Sequence, residues 1–300
     1  MTRFKQKVLK SSLAITTNVG CRNNCSYCPQ LSIIQSYKNL QGDSSMAFET
    51  FAACIKSVPR DICLSFSGFS EPWLNPDCTR MILHAHEQNF KIRVNTTLIG
   101  MQTKDILQLK PVPFIKFVVH LPDDQELTRI RVDEVYLRNL LLLINEQPEN
   151  LMWKFHRSAS GAGIHPQVLK VLQEHRVQIK YFGLNSRAGK VDSLSGNQVA
   201  NRGQVLRECQ DFHHNILLPN GDVTLCHMDW SLKHILGNLL TMEYSAIHTG
   251  RAYKDLLESL QVPEADILCR ECEKDNVKRA LPRHLLHLLK KKISGEKDPY

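Results

Sequence analysis

The sequence predicts an α/β protein: an open, partial (β/α)6 barrel followed by a small cysteine-rich C-terminal extension. Three observations carry that expectation. From residue 12 to about 185, short β-like runs alternate with helical patterns, as in a parallel sheet built from βα units. The ten cysteines are unevenly spread, with three crowded into residues 21–28 and four between 209 and 272. A length of 300 residues with 42% hydrophobic content suffices for one large domain and an appendage. The expected division is a basic arm over residues 1–11, the barrel over 12–200, the extension over 201–277 and a basic tail over 278–300.

Residues 12–18 read as the first strand and deliver the chain into the cysteine loop. Residues 46–58 follow as a helix, with Phe48, Phe51, Ala52 and Ile55 at i, i+3, i+4 and i+7. A strand over 62–66, a helix over 76–88 and a third strand over 91–95 come next. Residues 103–109 give a short helix, stopped by Pro111 and Pro113, which cannot continue the hydrogen-bond ladder. Phe114–His120 makes the fourth strand, 133–145 a helix and 152–156 the fifth strand. Pro166 suits the first turn of a helix over 166–175, and 177–184 is the sixth strand. Six such units close only part of a barrel, and active sites gather where barrel strands end and helices begin. That rule puts the cysteine loop, Gly68, Asn95, His120, His156 and Asn185 at one rim.

No apolar stretch approaches the roughly 18 residues of a membrane span; the longest runs only from Leu140 to Ile144. The N-terminus is basic but lacks the apolar core of a secretory signal. The cysteines are therefore expected in a reducing, cytoplasmic compartment, as metal ligands and not as disulfides. The formal net charge of +8 belongs to the ends, with +4 on residues 1–10, +5 on residues 278–300 and −1 on the rest. The tail has the pattern of a basic amphipathic helix that touches a membrane surface, a nucleic acid or a partner; a solvated final helix is the commoner outcome. Nothing reads as sequence-specific nucleic-acid recognition.

Cys21, Cys25 and Cys28 stand at C-x3-C-x2-C spacing, with Tyr27 just before the last. Three thiolates on one tight loop can hold three irons of a four-iron cluster and leave the fourth open to a non-protein ligand. The other readings are a zinc loop lacking its fourth ligand, or three unrelated buried thiols; no fourth partner stands nearby to close a zinc site. The segment Ser65-Phe-Ser-Gly-Phe-Ser-Glu-Pro72 supplies Gly68 and Ser70, small enough for a ligand to approach the backbone, and Glu71 as a charge-assisted partner for an ammonium group.

Together these segments resemble the radical S-adenosylmethionine (radical SAM) superfamily, in which the open iron chelates SAM and a Gly-Gly-Glu-Pro motif holds its amino group. Phe69 stands where that family usually has glycine. The resemblance implies that Tyr27 contacts adenine and that Asn95 lines the SAM or substrate pocket. Arg187 could bind the SAM carboxylate or an acidic substrate group. For Asn95, His120, His156, Asn185, Ser186 and Arg187 a capping or solvated role is the alternative.

Cys209, Cys226, Cys269 and Cys272 follow the barrel, the last two as a C-x2-C pair. Cys226 closes a run in which Asn220-Gly221 signals a hairpin turn. By spacing alone a structural zinc site fits these four as well as an iron–sulfur cluster does. With Gly237-Asn238-Leu239 and a helix over 242–260, the pattern resembles the SPASM/Twitch extension of some radical SAM enzymes. The short, Twitch-like form implies one auxiliary [4Fe-4S] cluster. Cys54, Cys63 and Cys78 read as packing residues, with a hydrogen-atom donor to a substrate radical as the rarer role for one of them. His213, His214 and His227 read as surface groups or as neighbours of the cluster that do not ligate it.

The resemblance implies two [4Fe-4S] clusters, bound SAM, an electron donor such as flavodoxin or ferredoxin, and hydrogen abstraction from an unactivated C–H bond. Four cysteines would saturate the auxiliary cluster, so that it relays electrons; this favours oxidation or epimerisation of a small polar molecule such as a sugar or aminocyclitol. A ribosomally made peptide ranks second, because only eleven residues precede the first strand. The reading from another class is a non-catalytic, zinc-binding adaptor that docks a partner through its tail.

Overall fold

The structure, a computed structural model, describes residues 11–158, 160–191 and 203–273. All of the expected basic arm but its last residue (1–10 of 1–11), the tail over 278–300 and the expected boundary between barrel and extension lie outside the described residues.

Six parallel strands lie side by side in chain order: β1 (Ser12–Ile15), β2 (Cys63–Phe66), β3 (Lys91–Thr96), β4 (Phe114–His120), β5 (Leu151–Arg157) and β6 (Ile179–Gly183). Parallel neighbours need crossover connections. These are made by α1 (Gln30–Lys38) and α2 (Phe48–Cys54), then α3 (Cys78–Glu87), α4 (Thr103–Gln108), α5 (Glu134–Glu146) and α6 (Pro166–Glu174). Sequence periodicity did not find α1, whose buried residues are only Gln30, Ile33 and Tyr37 and whose N-cap, Pro29, makes no side-chain cap. The helix expected over 46–58 ends at Cys54 and tightens into a 3-10 turn, Ile55–Ser57, just before Pro59 disfavours the helical backbone of Val58. The first strand, expected to reach residue 18, ends at Ile15.

The extension is not a separate body. Its first strand, β7 (His214–Leu217), pairs in parallel with β1, matching Ser12 to His214 and Ile15 to Leu217. β8 (Asp222–Thr224) and β9 (Ile235–Asn238) continue antiparallel, giving one nine-stranded sheet in the order β6-β5-β4-β3-β2-β1-β7-β8-β9. The β7–β8 hairpin turns at Asn220-Gly221, as expected, with Gly221 at φ +90°. The single helix expected over 242–260 is two, α7 (Tyr244–Ile247) and α8 (Arg251–Gln261). The break falls at Gly250, where a Cβ would come within 2.7 Å of the Ala246 carbonyl oxygen.

Strand alternation then sorts the side chains. Leu13, Ile15, Leu64, Phe66, Ile92, Val94, Phe117, Val119, Trp153 and Phe155 face one way and are buried in a single apolar cluster with residues of α2, α3 and α5. Cys54, Cys63 and Cys78 are fully buried, in keeping with a packing role. The other face of the parallel strands carries Ser12, Ser65, Arg93, Asn95, His120, Lys154 and His156, which line an open cleft. Among the described residues no helix is long and apolar enough to cross a membrane.

Candidate active site

The cleft has a volume of about 510 Å³ and runs from the loops at the strand ends down into the barrel. Cys21, Cys25, Cys28, Tyr27, Gly68, Ser70, Glu71, Asn95, His120, His156, Asn185 and Arg187 all line it. The structure thus brings together every barrel residue singled out by the sequence except Ser186, which is buried beside it.

The cysteine loop is pinned from two sides. Gln30 Oε1 accepts the Cys21 N–H at 3.0 Å while its Nε2 donates to the Phe69 carbonyl at 3.0 Å. One buried side chain therefore joins the cysteine loop to the Gly68 loop. On the other side the Ser26 N–H donates to the Leu127 carbonyl at 2.8 Å, and Cys25 Sγ donates to the Thr128 carbonyl at 3.2 Å. Asp123 holds that loop by accepting from the N–H groups of Gln125, Leu127 and Thr128.

The thiols interact directly. The hydrogen bond between the Cys25 and Cys28 side chains, helped by the Arg187 charge, lowers the Cys28 pKa against the effect of burial. The same bond, together with burial, raises that of Cys25. Burial raises Cys21, opposed by the N–H groups of Asn23 and Glu71, which bond to its sulfur. Tyr27 bonds to Cys25 and is pushed up by burial. Its ring lies 5.8 Å from that of His156, which stacks on His120 at 5.2 Å.

Gly68 sits at φ +59°, and a Cβ there would fall 2.1 Å from Thr16 Oγ1 and 2.8 Å from Thr16 Cα. Glycine alone satisfies both demands. Phe69, at the position where the resembled family has glycine, is buried, with its ring 4.8 Å from Trp230. It anchors the loop to the C-terminal region. Glu71 is also buried, and its Oε1 accepts from the Thr96 hydroxyl at 2.6 Å. Its Oε2 accepts from the Thr97 N–H at 2.6 Å and the Thr97 hydroxyl at 2.8 Å. Burial pushes its pKa up to about 7 despite these donors. Both carboxylate oxygens are thus engaged, and Glu71 clamps the β2 exit to the β3 exit. Ser70 Oγ, in contrast, is buried with no protein partner.

Thr96 and Thr97, which follow Asn95 in the segment the resemblance places at the pocket, line the cleft too, whereas sequence reasoning missed Arg93, Lys154, Asp211, Phe182 and Trp230, which also line it. The signal for two of them was available: Arg93 and Lys154 lie two residues before Asn95 and His156, on the same strand face. His214 and His227, expected at the surface or beside the cluster, face the cleft; the first bonds the Ser12 hydroxyl at 2.9 Å and the second lies 4.0 Å from Asp211. Burial, reinforced by neighbouring cations, lowers His156 to about 4, Lys154 to about 8 and His120 well below the usual histidine value.

In the C-terminal region Cys226, Cys269 and Cys272 are buried and Cys209 is half-buried. Burial raises Cys226 and Cys269, the latter to about 12, with the charges of the other thiols adding to the effect. The Leu268 N–H donates to His234 Nε2 at 3.0 Å, and Arg270, buried between Cys269 and Cys272, donates to carbonyls at the end of α8. Among the described residues no group of three or more His, Cys, Asp or Glu side chains is arranged to hold a single metal ion.

The donors present fit the groups that the resemblance implies. Two sets of thiols offer only soft sulfur, N–H groups already point at Cys21, and the Gly68 cradle with its unpartnered Ser70 hydroxyl adjoins the first set. Cys21, Cys25 and Cys28 would hold one cluster, with SAM beside them. Cys209, Cys226, Cys269 and Cys272 would hold the other.

Residues 209–273 match the SPASM iron-sulfur cluster-binding domain, a span that opens on Cys209 and closes one residue after Cys272. The structure of BtrN in complex with AdoMet and 2-DOIA superposes with a TM-score of 0.55 at 16% identity, covering 90% of this chain and 95% of that one. The anSMEcpe structure with bound AdoMet gives 0.55 at 13% identity, over 83% of this chain and 80% of that one. Streptococcus suis SuiB bound to precursor peptide SuiA also gives 0.55, at 10% identity over 87% and 70%. No curated protein sequence matches the chain.

Proposed function

We propose that this chain, which has the radical SAM fold and a SPASM-type iron–sulfur region, cleaves SAM reductively and abstracts hydrogen from a small polar substrate. The product would be an oxidised or epimerised sugar- or aminocyclitol-like molecule. One observation carries the reading: the three-cysteine loop, the Gly68–Glu71 loop and the polar barrel face meet in a single cleft of about 510 Å³. Cys21, Cys25 and Cys28 would hold a cluster that, when bound and reduced, would supply the electron for reductive cleavage of SAM and so the hydrogen-abstracting radical. The chain's own residues bind and orient. The backbone at Gly68 and the Ser70 hydroxyl suit the SAM amino group, Tyr27 the adenine, and Arg187 the carboxylate.

With Cys54, Cys63 and Cys78 buried, four cysteines remain for the C-terminal region, enough for one auxiliary cluster. A flavodoxin or ferredoxin is the fitting donor. A peptide substrate is favoured by a different observation: among the described residues β6 is the edge of the sheet, with Tyr181 49% and Phe182 39% exposed and Phe182 lining the cleft. The deciding experiment is anaerobic reconstitution followed by SAM and a reductant. About eight irons per chain with matching sulfide, and release of 5′-deoxyadenosine, are expected. Intact clusters that release none would overturn the reading, and zinc without iron would favour the adaptor.

A further inference from the structure

We propose that the substrate is an anion, and that Arg93 and Lys154 hold its phosphate or carboxylate group on the inner face of the barrel. The inference deepens the radical SAM reading above and rests on it for why a substrate enters this cleft.

Register supplies the first argument. Arg93 on β3 is paired with Lys116 on β4, and Lys154 on β5 is paired with both His120 on β4 and Lys180 on β6. Residues in register share a face, and Lys116 and His120 share theirs at a spacing of four. Each of four successive strands therefore carries at least one lysine or arginine on the same side, and of these Arg93 and Lys154 line the cleft.

Charge balance supplies the second. Among the described residues no carboxylate forms an ion pair with Arg93, Lys116, Lys154 or Lys180. The two acids on the cleft wall are engaged elsewhere, Glu71 by Thr96 and Thr97 and Asp211 near His227. Arg93 Nε is buried with no hydrogen-bond partner. Lys116 and Lys154 are both depressed, first by burial and then by neighbouring cations. A gathering of partly buried cations without counter-ions is unfavourable unless something completes it.

SAM does not exhaust this charge. Its one carboxylate would be served by Arg187, which lies near Cys28 and over the Trp230 ring at 5.9 Å. Arg93 and Lys154 stand on the strands themselves. An amine-bearing aminocyclitol would meet repulsion there, so the sugar-like class narrows to acidic members.

The test is calorimetric binding to the full-length, anaerobically reconstituted protein with SAM present. The probes are a hexose 6-phosphate, a hexuronate, the neutral hexose, a hexosamine and inorganic phosphate. At least one anionic probe should bind roughly tenfold more tightly than the neutral hexose, with the hexosamine weakest and the preference shrinking in high salt. Tighter binding of the hexose phosphate than of the hexuronate identifies phosphate as the group; the reverse identifies carboxylate. Arg93→Gln and Lys154→Gln should each weaken that probe by roughly tenfold while SAM affinity, measured separately as a control for folding, holds. Equal or tighter binding of the neutral or amino sugar overturns the inference. So does a lack of saturable binding by any anionic probe, or anion affinity indifferent to both substitutions in proteins that still bind SAM. Because the readout is binding, anion recognition without 5′-deoxyadenosine formation sinks only the radical reading, and the converse sinks only this one.

Discussion

Lys154 illustrates how a single residue acquires a function from its neighbours. Burial, and then the charges of Arg187, Arg93 and Lys116, bring its pKa down to about 8, and its strand partners His120 and Lys180 add no acid. Below that value it is a cation; above it, neutral. Anion affinity should therefore be full near neutrality and fall as pH rises through about 8, while a flat profile would remove Lys154 from the contact. The free protein should respond oppositely. The unfolded lysine keeps its proton up to about 10.4, so the unfolded state binds more protons between the two values and stability rises with pH there. The cysteines give a second expectation at this scale. Cys21→Ala should halve the iron content from about eight per chain to about four and end 5′-deoxyadenosine formation, whereas Cys269→Ala should cost the other four and spare SAM cleavage. Iron and sulfide assays beside product analysis separate the two, and equal loss of both clusters in either variant would argue against two independent sites.

At the scale of elements, the loop between β2 and α3 matters most. Gly68 needs a positive φ and contact distance to Thr16 at once, Gln30 ties the loop to the cysteines, and Glu71 ties it to β3. Gly68→Ala should destabilise the protein by about 1–3 kcal/mol through backbone strain alone, with the Thr16 clash added. Lowered thermal stability together with weakened SAM binding is the expected pair of results; an alanine variant with wild-type SAM affinity would show that the loop does not need this approach. Why some elements were legible and others not follows from where their information resides. β3 to β5 announce themselves because alternate residues meet a core on one side and a cleft on the other. α1 does not, because its neighbours decide its burial. The β7–β1 pairing joins residues about 200 positions apart, and no local pattern encodes it. Gly68 was legible from its place after a strand, while the role of Phe69 depends on Trp230, far along the chain. Arg93 and Lys154 were within reach of the period-two rule, but attention to strand ends passed over the positions two residues earlier.

Across the whole molecule, the sheet makes barrel and cluster region one structure. β1 is flanked by β2 on one side and β7 on the other, so a strand of the N-terminal cysteine unit is completed by the segment that follows Cys209. A second apolar cluster repeats the link, packing Val19, Ile33 and Tyr37 with Phe69 and with Ile216, Leu218 and Trp230. A shared sheet with a shared core fixes the separation between the two thiol sets more firmly than a linker does. The consequence can be measured by native-state hydrogen exchange. Strands paired on both sides and buried open only with the whole protein, whereas edge strands open locally. The amides of β1 and β7 should therefore exchange together in the slowest class and respond equally to denaturant. Those of β6, exposed along most of its length, should exchange well before them. If β7 instead opened at lower free energy than β1, the C-terminal region would be a detachable module, and the geometry between the two thiol sets would be set by something other than the sheet.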